Sequence, residues 1–165
     1  MEDTDRKPDV ELYLLRHADA GDPQTFRGDD AQRPLSDKGR RQASSMGRFL
    51  NRRGLHPDVI VSSPKMRARQ TAELVAAALN TPVSLDERLV GTPDLDRLNE
   101  IVAGAAVRRV LLVGHDPEFS DLAAELAGAS HIPIKKGGLV RLDVVLPLQA
   151  GRGTLRWLLP PDLAG

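Results

Sequence analysis

No cysteine occurs in the chain, which removes disulfides, thiolate nucleophiles and thiolate metal ligands together. Aromatic residues are scarce at 3%, so a base-stacking surface has little to be built from. Neither sign of charge prevails. The 23 Lys and Arg balance 23 Asp and Glu, and any attraction for phosphate must come from local arrangement. No apolar run approaches the length of a membrane span, and the opening MEDTDRKPD is acidic and polar, unlike a secretory signal. These absences argue against nucleic-acid and membrane partners and make the cytoplasm the expected location.

What is present is the composition of a packed domain. At 165 residues with 41% hydrophobic content, the chain suffices for one cored domain and is short for two. No internal repeat or linker divides it. Residues 1–9 are expected as a flexible lead-in and residues 10–165 as a single domain, and nothing in the composition requires an oligomer.

The stretch VELYLLRHADAG, Val10 to Gly21, organises the reading. Glu11 to Leu15 has the character of a short buried strand, and it delivers Arg16 and His17 to its C-terminal end, where open α/β sheets form ligand crevices. The polar stretch 21–33 reads as an exposed loop. Ser36 suits the N-cap of a helix running to about Arg53, with Ala43, Met46, Gly47 and Leu50 facing the sheet and Gly54 ending it. Asp58 to Val61, with Val59, Ile60 and Val61, reads as a second buried strand, and Pro64 suits an early position of the helix Lys65 to Leu79. That register puts Arg67 near the helix start. Pro82 to Leu85 is a short strand and Leu95 to Ala105 a helix. Val107 to Val113 is a third clear strand ending in Gly114, His115 and Asp116, followed by a helix from about Glu118 to Ala127. Leu139 to Leu146 reads as an edge strand, and Thr154 to Leu159 as the last strand. Strands alternating with helices predict a three-layer α/β/α sandwich with a mostly parallel central sheet.

Three strand ends deliver polar residues: Arg16 with His17, Ser62 with Arg67, and Gly114 with His115. Two histidines and two arginines without cysteine suit a phosphoryl group, because the guanidinium fork matches phosphate oxygens and an imidazole can carry phosphorus covalently. As metal ligands His17 and His115 lack a third partner at convincing spacing, which argues against zinc. Arg69 competes with Arg67 for the clamp on sequence alone. His56 reads as exposed, His131 as a residue of a polar connection able to line the rim, and Met46 and Met66 as core filling.

The blocks LYLLRHADA, LSDKGRRQA, SSPKMRARQT and LLVGHDP, in that order, resemble the successive signatures of the histidine phosphatase superfamily, the phosphoglycerate mutase-like fold. The short chain and the RHADA form resemble its small phosphohistidine phosphatase branch of SixA-type proteins, and GGLVRLD is similar to that branch's late strand. The resemblance implies that His17 is the phosphorylated nucleophile, that Arg16 and Arg67 bind phosphate, and that His115 contacts the phosphoryl group. Ser36 and Gly39 match a motif expected to support the fold. The implied chemistry is transfer to His17 and then to water, without a metal or other cofactor.

The proton donor stays open. Glu87 resembles the glutamate of mutase-like members, Asp116 the acid beside the second histidine of acid phosphatases, and Asp19 lies near His17 in sequence. For Glu87 the plainer role is pairing with Arg88, and for Asp116 it is capping the following helix. An imidazole leaving group needs no strong acid, whereas an alkoxide does. The short segment between Arg67 and His115 leaves little room for a lid, so a shallow pocket is expected. The reading is therefore a phosphatase whose partner is a phosphorylated protein or a small phosphoester, with protein phosphohistidine favoured. A small-molecule phosphomonoesterase and a non-catalytic phosphate-recognising adaptor are the alternatives.

Overall fold

A computed structural model describes residues 7–165, so most of the expected lead-in lies outside the described residues. Its last residue is held: the Asp9 amide donates to Val144 O, and its carboxylate accepts from the Leu146 amide.

The elements in order are β1 (Val10–Arg16), α1 (Asp37–Arg52), β2 (Val59–Ser62), α2 (Met66–Leu79), β3 (Val83–Leu85), α3 (Leu95–Ala105), β4 (Arg109–Gly114), α4 (Glu118–Ala127), β5 (Leu139–Val144) and β6 (Thr154–Leu159). They form one six-stranded sheet in the order β3-β2-β4-β1-β5-β6. The first four are mutually parallel, whereas β5 pairs antiparallel with β1 and β6 antiparallel with β5. The three-layer, mostly parallel sandwich expected from the alternation is present. One expectation is corrected: β5 lies between β1 and β6, so β6 holds the edge. The buried pattern of β5 fits two neighbours, and the largely exposed β6 fits one.

Side-chain alternation along β1 divides the core. Leu12 and Leu14 join α3 and α4 on one face, while Tyr13 and Leu15 join α1 and α2 on the other. Ala43, Met46, Gly47 and Leu50 are buried as the helical spacing requires. Met46 fills the core, but Met66 is only half-buried, because it stands in the first helical turn at the sheet edge. Pro64 lies in the turn before α2, whose N-cap is Lys65, so it does not occupy a helical position.

Among the glycines required by close approach, two lie beside the polar strand ends. A Cβ on Gly39 would meet the Asp19 carbonyl oxygen at 1.9 Å, and one on Gly114 would meet the Phe119 ring at 2.5 Å. The first lets α1 press against the segment after His17, and the second lets α4 lie across the end of β4.

Candidate active site

Strand register gathers the polar strand ends. Arg16 is opposite Gly114 and Ser62 opposite Val113, while the His17 amide donates to Gly114 O at 3.0 Å and the Ser63 amide to Val113 O at 3.0 Å. Arg16, His17, Ser63 and His115 therefore leave three adjacent parallel strands at one edge. The first turn of α2 brings Arg67 to the same edge, with the positive end of the helix beside it.

His17 is 7% exposed, and its Nδ1 lies 2.8 Å from Ala18 O. A carbonyl only accepts, so Nδ1 carries the proton and Nε2 presents a lone pair. Burial is the largest cause that lowers its pKa to about 4, reinforced by Arg67, Arg16 and Lys136. The His115 ring lies 5.4 Å from that of His17, centroid to centroid. Its Nε2 is 2.8 Å from Ser63 Oγ, which already accepts from the Lys65 amide. Ser63 Oγ has no other acceptor for its hydrogen among the described residues, so that hydrogen is assigned to Nε2 and the imidazole proton to Nδ1. Burial, with His17 and Arg67 adding to it, lowers the His115 pKa to about 3.

Arg16 Nη1 donates to Ile134 O at 2.8 Å and lies 3.4 Å from Asp116 Oδ2. Arg67 Nη1 donates to Asp30 O at 3.0 Å and lies 3.3 Å from Asp30 Oδ2. Each guanidinium is fixed from one side only. Arg16 Nε, Arg67 Nε and His115 Nδ1 are buried without a hydrogen-bond partner among the described residues. Unsatisfied buried donors are costly, and here all three belong to the expected phosphate-binding residues.

The acid candidates fare differently. Asp116 accepts the Ser120 amide at Oδ1 and the Ser120 hydroxyl at Oδ2, bonds to the first turn of α4 made while it faces Arg16; the N-cap position expected of it is held by Pro117. Asp19 accepts from Ser36 Oγ and lies 3.7 Å from Lys136 Nζ, and the serine bond holds its pKa below the ordinary carboxylate value. Glu87 is exposed in the turn after β3 and makes no hydrogen bond or ion pair with His17, Arg16, Arg67 or His115. The expected pairing of Glu87 with Arg88 is corrected as well. Arg88 pairs with Asp86 and Glu100, because Asp86 caps the same turn and presents its carboxylate to the guanidinium. Arg69 makes a surface pair with Glu73, away from the cluster, and His56 and His131 are exposed.

Three residues that sequence reasoning did not assign hold the site. Asp30 orients both Arg67 and the buried Arg33, and the Arg33 bond lowers the Asp30 pKa. Ser63 positions His115, although Ser62 is the residue at the formal strand end. Thr71 donates to Arg67 O and accepts from the Ala18 amide, joining α2 to the segment after His17. Ser63 and Thr71 stood inside a motif already singled out, but Asp30 was one of several loop aspartates with no spacing to mark it.

A buried imidazole with a free Nε2, two half-satisfied guanidiniums and a second imidazole stand together at the carboxyl edge of a parallel sheet, a set of groups chemically able to hold a phosphoryl group. Residues 12–91 match the family described as the histidine phosphatase superfamily, branch 1. An uncharacterized protein of Picosynechococcus sp. is 33% identical over 142 residues, covering 81% of this chain and 84% of that one. Phosphohistidine phosphatase SixA of Escherichia coli is 27% identical over 157 residues, 92% of this chain and 94% of that one. The structure of the protein histidine phosphatase SixA complexed with tungstate superposes with a TM-score of 0.81, 24% identity and coverage of 93% of this chain and 98% of that chain. The chain belongs to the histidine phosphatase superfamily.

Proposed function

We propose that the chain is a phosphatase that removes the phosphoryl group from protein phosphohistidine through a covalent intermediate on His17. Membership of the superfamily supports a phosphatase, and the similarity to SixA supports this substrate class. The observation that carries the finer reading is the state of the carboxylates: Asp19, Asp30 and Asp116 are each engaged by hydrogen bonds or cations, and Glu87 stands apart in solvent. A site without a free acid suits a leaving group that departs neutral.

In this mechanism Arg16 and Arg67 clamp the phosphoryl oxygens, and His115 Nδ1–H supplies a third donor. His17 Nε2 attacks phosphorus and the substrate's P–N bond breaks. The substrate imidazole, protonated on its other nitrogen, leaves as neutral imidazole, while His17 keeps its Nδ1 proton and becomes the phosphorylated, singly protonated ring. Water then attacks phosphorus, the P–Nε2 bond breaks, and the water's protons leave on dihydrogen phosphate. His17 returns to its starting tautomer. The first step exchanges one phosphoimidazole for another, so it requires little driving force from the enzyme.

The test compares turnover of a phosphohistidine protein and simple phosphomonoesters by wild type, H17A and E87Q. Fast loss from phosphohistidine that requires His17 and tolerates E87Q is the expected result. A preference for esters with a large loss in E87Q would make the protein a phosphomonoesterase with Glu87 as its acid. Phosphate binding without turnover in wild type would favour the adaptor reading.

A further inference from the structure

A groove of about 660 Å³ opens beside the reaction cluster, between α1 and the Lys135–Lys136 turn, with Arg16 at its inner end. Five basic side chains line it against two acidic ones, in a chain whose net charge is zero. The basic set is Arg16, Lys38, Arg41, Lys135 and Lys136. Lys136 lies near Asp19, and Arg16 near Asp116. Lys38, Arg41 and Lys135 are exposed and have no carboxylate partner within ion-pair distance among the described residues. Positive side chains thus outnumber negative ones in one concavity that shares Arg16 with the site and also has Asp162 and Gly165 in its lining.

We propose that this groove docks an acidic segment of the phosphorylated protein, seating it on Lys38, Arg41 and Lys135 while its phosphoryl group reaches His17. The proposal rests on the phosphohistidine reading and names the partner chemistry that reading leaves open. Charge complementarity selects a segment rich in Asp and Glu. Geometry favours an extended chain. Lys38, Arg41 and Ser45 line one wall on successive turns of α1, spanning about 10 Å at 1.5 Å per residue. An extended peptide covers that length in roughly three residues. The cations are exposed side-chain ends spread along an open wall, an arrangement suited to several carboxylates on an extended strand. Arg16 marks the junction: it belongs to the groove lining, and in the proposed mechanism to the phosphate clamp.

The experiment measures kcat/KM for phosphohistidine and phosphoserine peptides, each with an aspartate-rich or a neutral flank, using wild type, K38E/R41E and K135E at about 50 and about 500 mM salt. A small bisphosphorylated ester is run alongside. The proposal expects an acidic-over-neutral ratio of about tenfold in wild type at low salt, the scale of a few exposed ion pairs acting together. That ratio falls towards one at high salt and in K38E/R41E, and falls partway in K135E. A ratio near one in wild type, or a tenfold ratio surviving in K38E/R41E, overturns it. Turnover of the bisphosphorylated ester with none of the peptides also overturns it and assigns the groove to a small anion. An acidic-flank preference seen only on phosphoserine would remove the phosphohistidine reading and leave the docking surface standing.

Discussion

Acidification between pH 7 and pH 5 isolates the two buried histidines. Unfolded histidine titrates near 6.5, whereas burial lowers His17 to about 4 and His115 to about 3. The unfolded chain therefore binds more protons throughout this window, so folded stability is complete above pH 6.5 and declines as pH falls towards the folded values. For His17 the folded state excludes a proton that most unfolded chains hold at pH 5, and its share of the loss is about 2 kcal/mol, good to the order of magnitude. His115 adds a similar share, coupled to the first through their mutual repulsion. Asp19 and Asp30 have lowered values, so their stabilisation is lost below the ordinary carboxylate range and lies outside the window. Urea unfolding at pH 7, 6 and 5 of wild type and H17Q reads the effect directly. The wild-type free energy falls more steeply than that of H17Q, by about 2 kcal/mol over the interval. Parallel pH dependences would refute the claim that His17 is held neutral by burial.

Replacing Gly39 by alanine would set a Cβ 1.9 Å from the Asp19 carbonyl oxygen, a backbone clash that no rotamer relieves. We expect a stability loss of more than roughly 2 kcal/mol in denaturant titration, with reduced activity from displacement of the His17 segment. Asp30→Ala removes the carboxylate but leaves the backbone carbonyl that also holds Arg67. It should lower kcat/KM by about fivefold, the worth of roughly one partly exposed ion pair, measured with a phosphohistidine peptide. Asp116→Ala should destabilise the chain by about 1 kcal/mol through loss of its bonds to Ser120 in the first turn of α4, and should leave ester and phosphohistidine rates affected to the same degree. A selective collapse of ester turnover would instead identify Asp116 as an acid.

The sequence exposed those parts of the molecule in which local chemistry and topology agree. Alternating strand and helix patterns marked the sheet, and the RH and GH dipeptides at the ends of buried strands marked the edge where Arg16, His17 and His115 gather. The position of β5 was not legible, because its burial depends on pairing with β1, a partner distant in order, and on cover from β6, itself mostly exposed. Asp30 was hidden for a related reason. Only the tertiary approach of the 30–32 turn to α2 distinguishes it from Asp22 and Asp29. Ser63 and Thr71 lay in a visible motif, but their roles are hydrogen bonds to other segments, to His115 and to Ala18. The basic groove was equally invisible, since Lys38 and Arg41 are ordinary helix-surface residues until the Lys135–Lys136 turn is folded opposite them.

The most direct test of the central claim is to trap the intermediate. Wild type and H17A are mixed with a phosphohistidine peptide, quenched in alkali within milliseconds to seconds, and mapped by mass spectrometry under conditions that preserve phosphoramidates. The account predicts one added phosphoryl group on His17, stable to alkali and released by acid, appearing and decaying at rates that match turnover and absent in H17A. Turnover by wild type with no phosphoryl group on His17 at any time, or undiminished turnover by H17A, would contradict it.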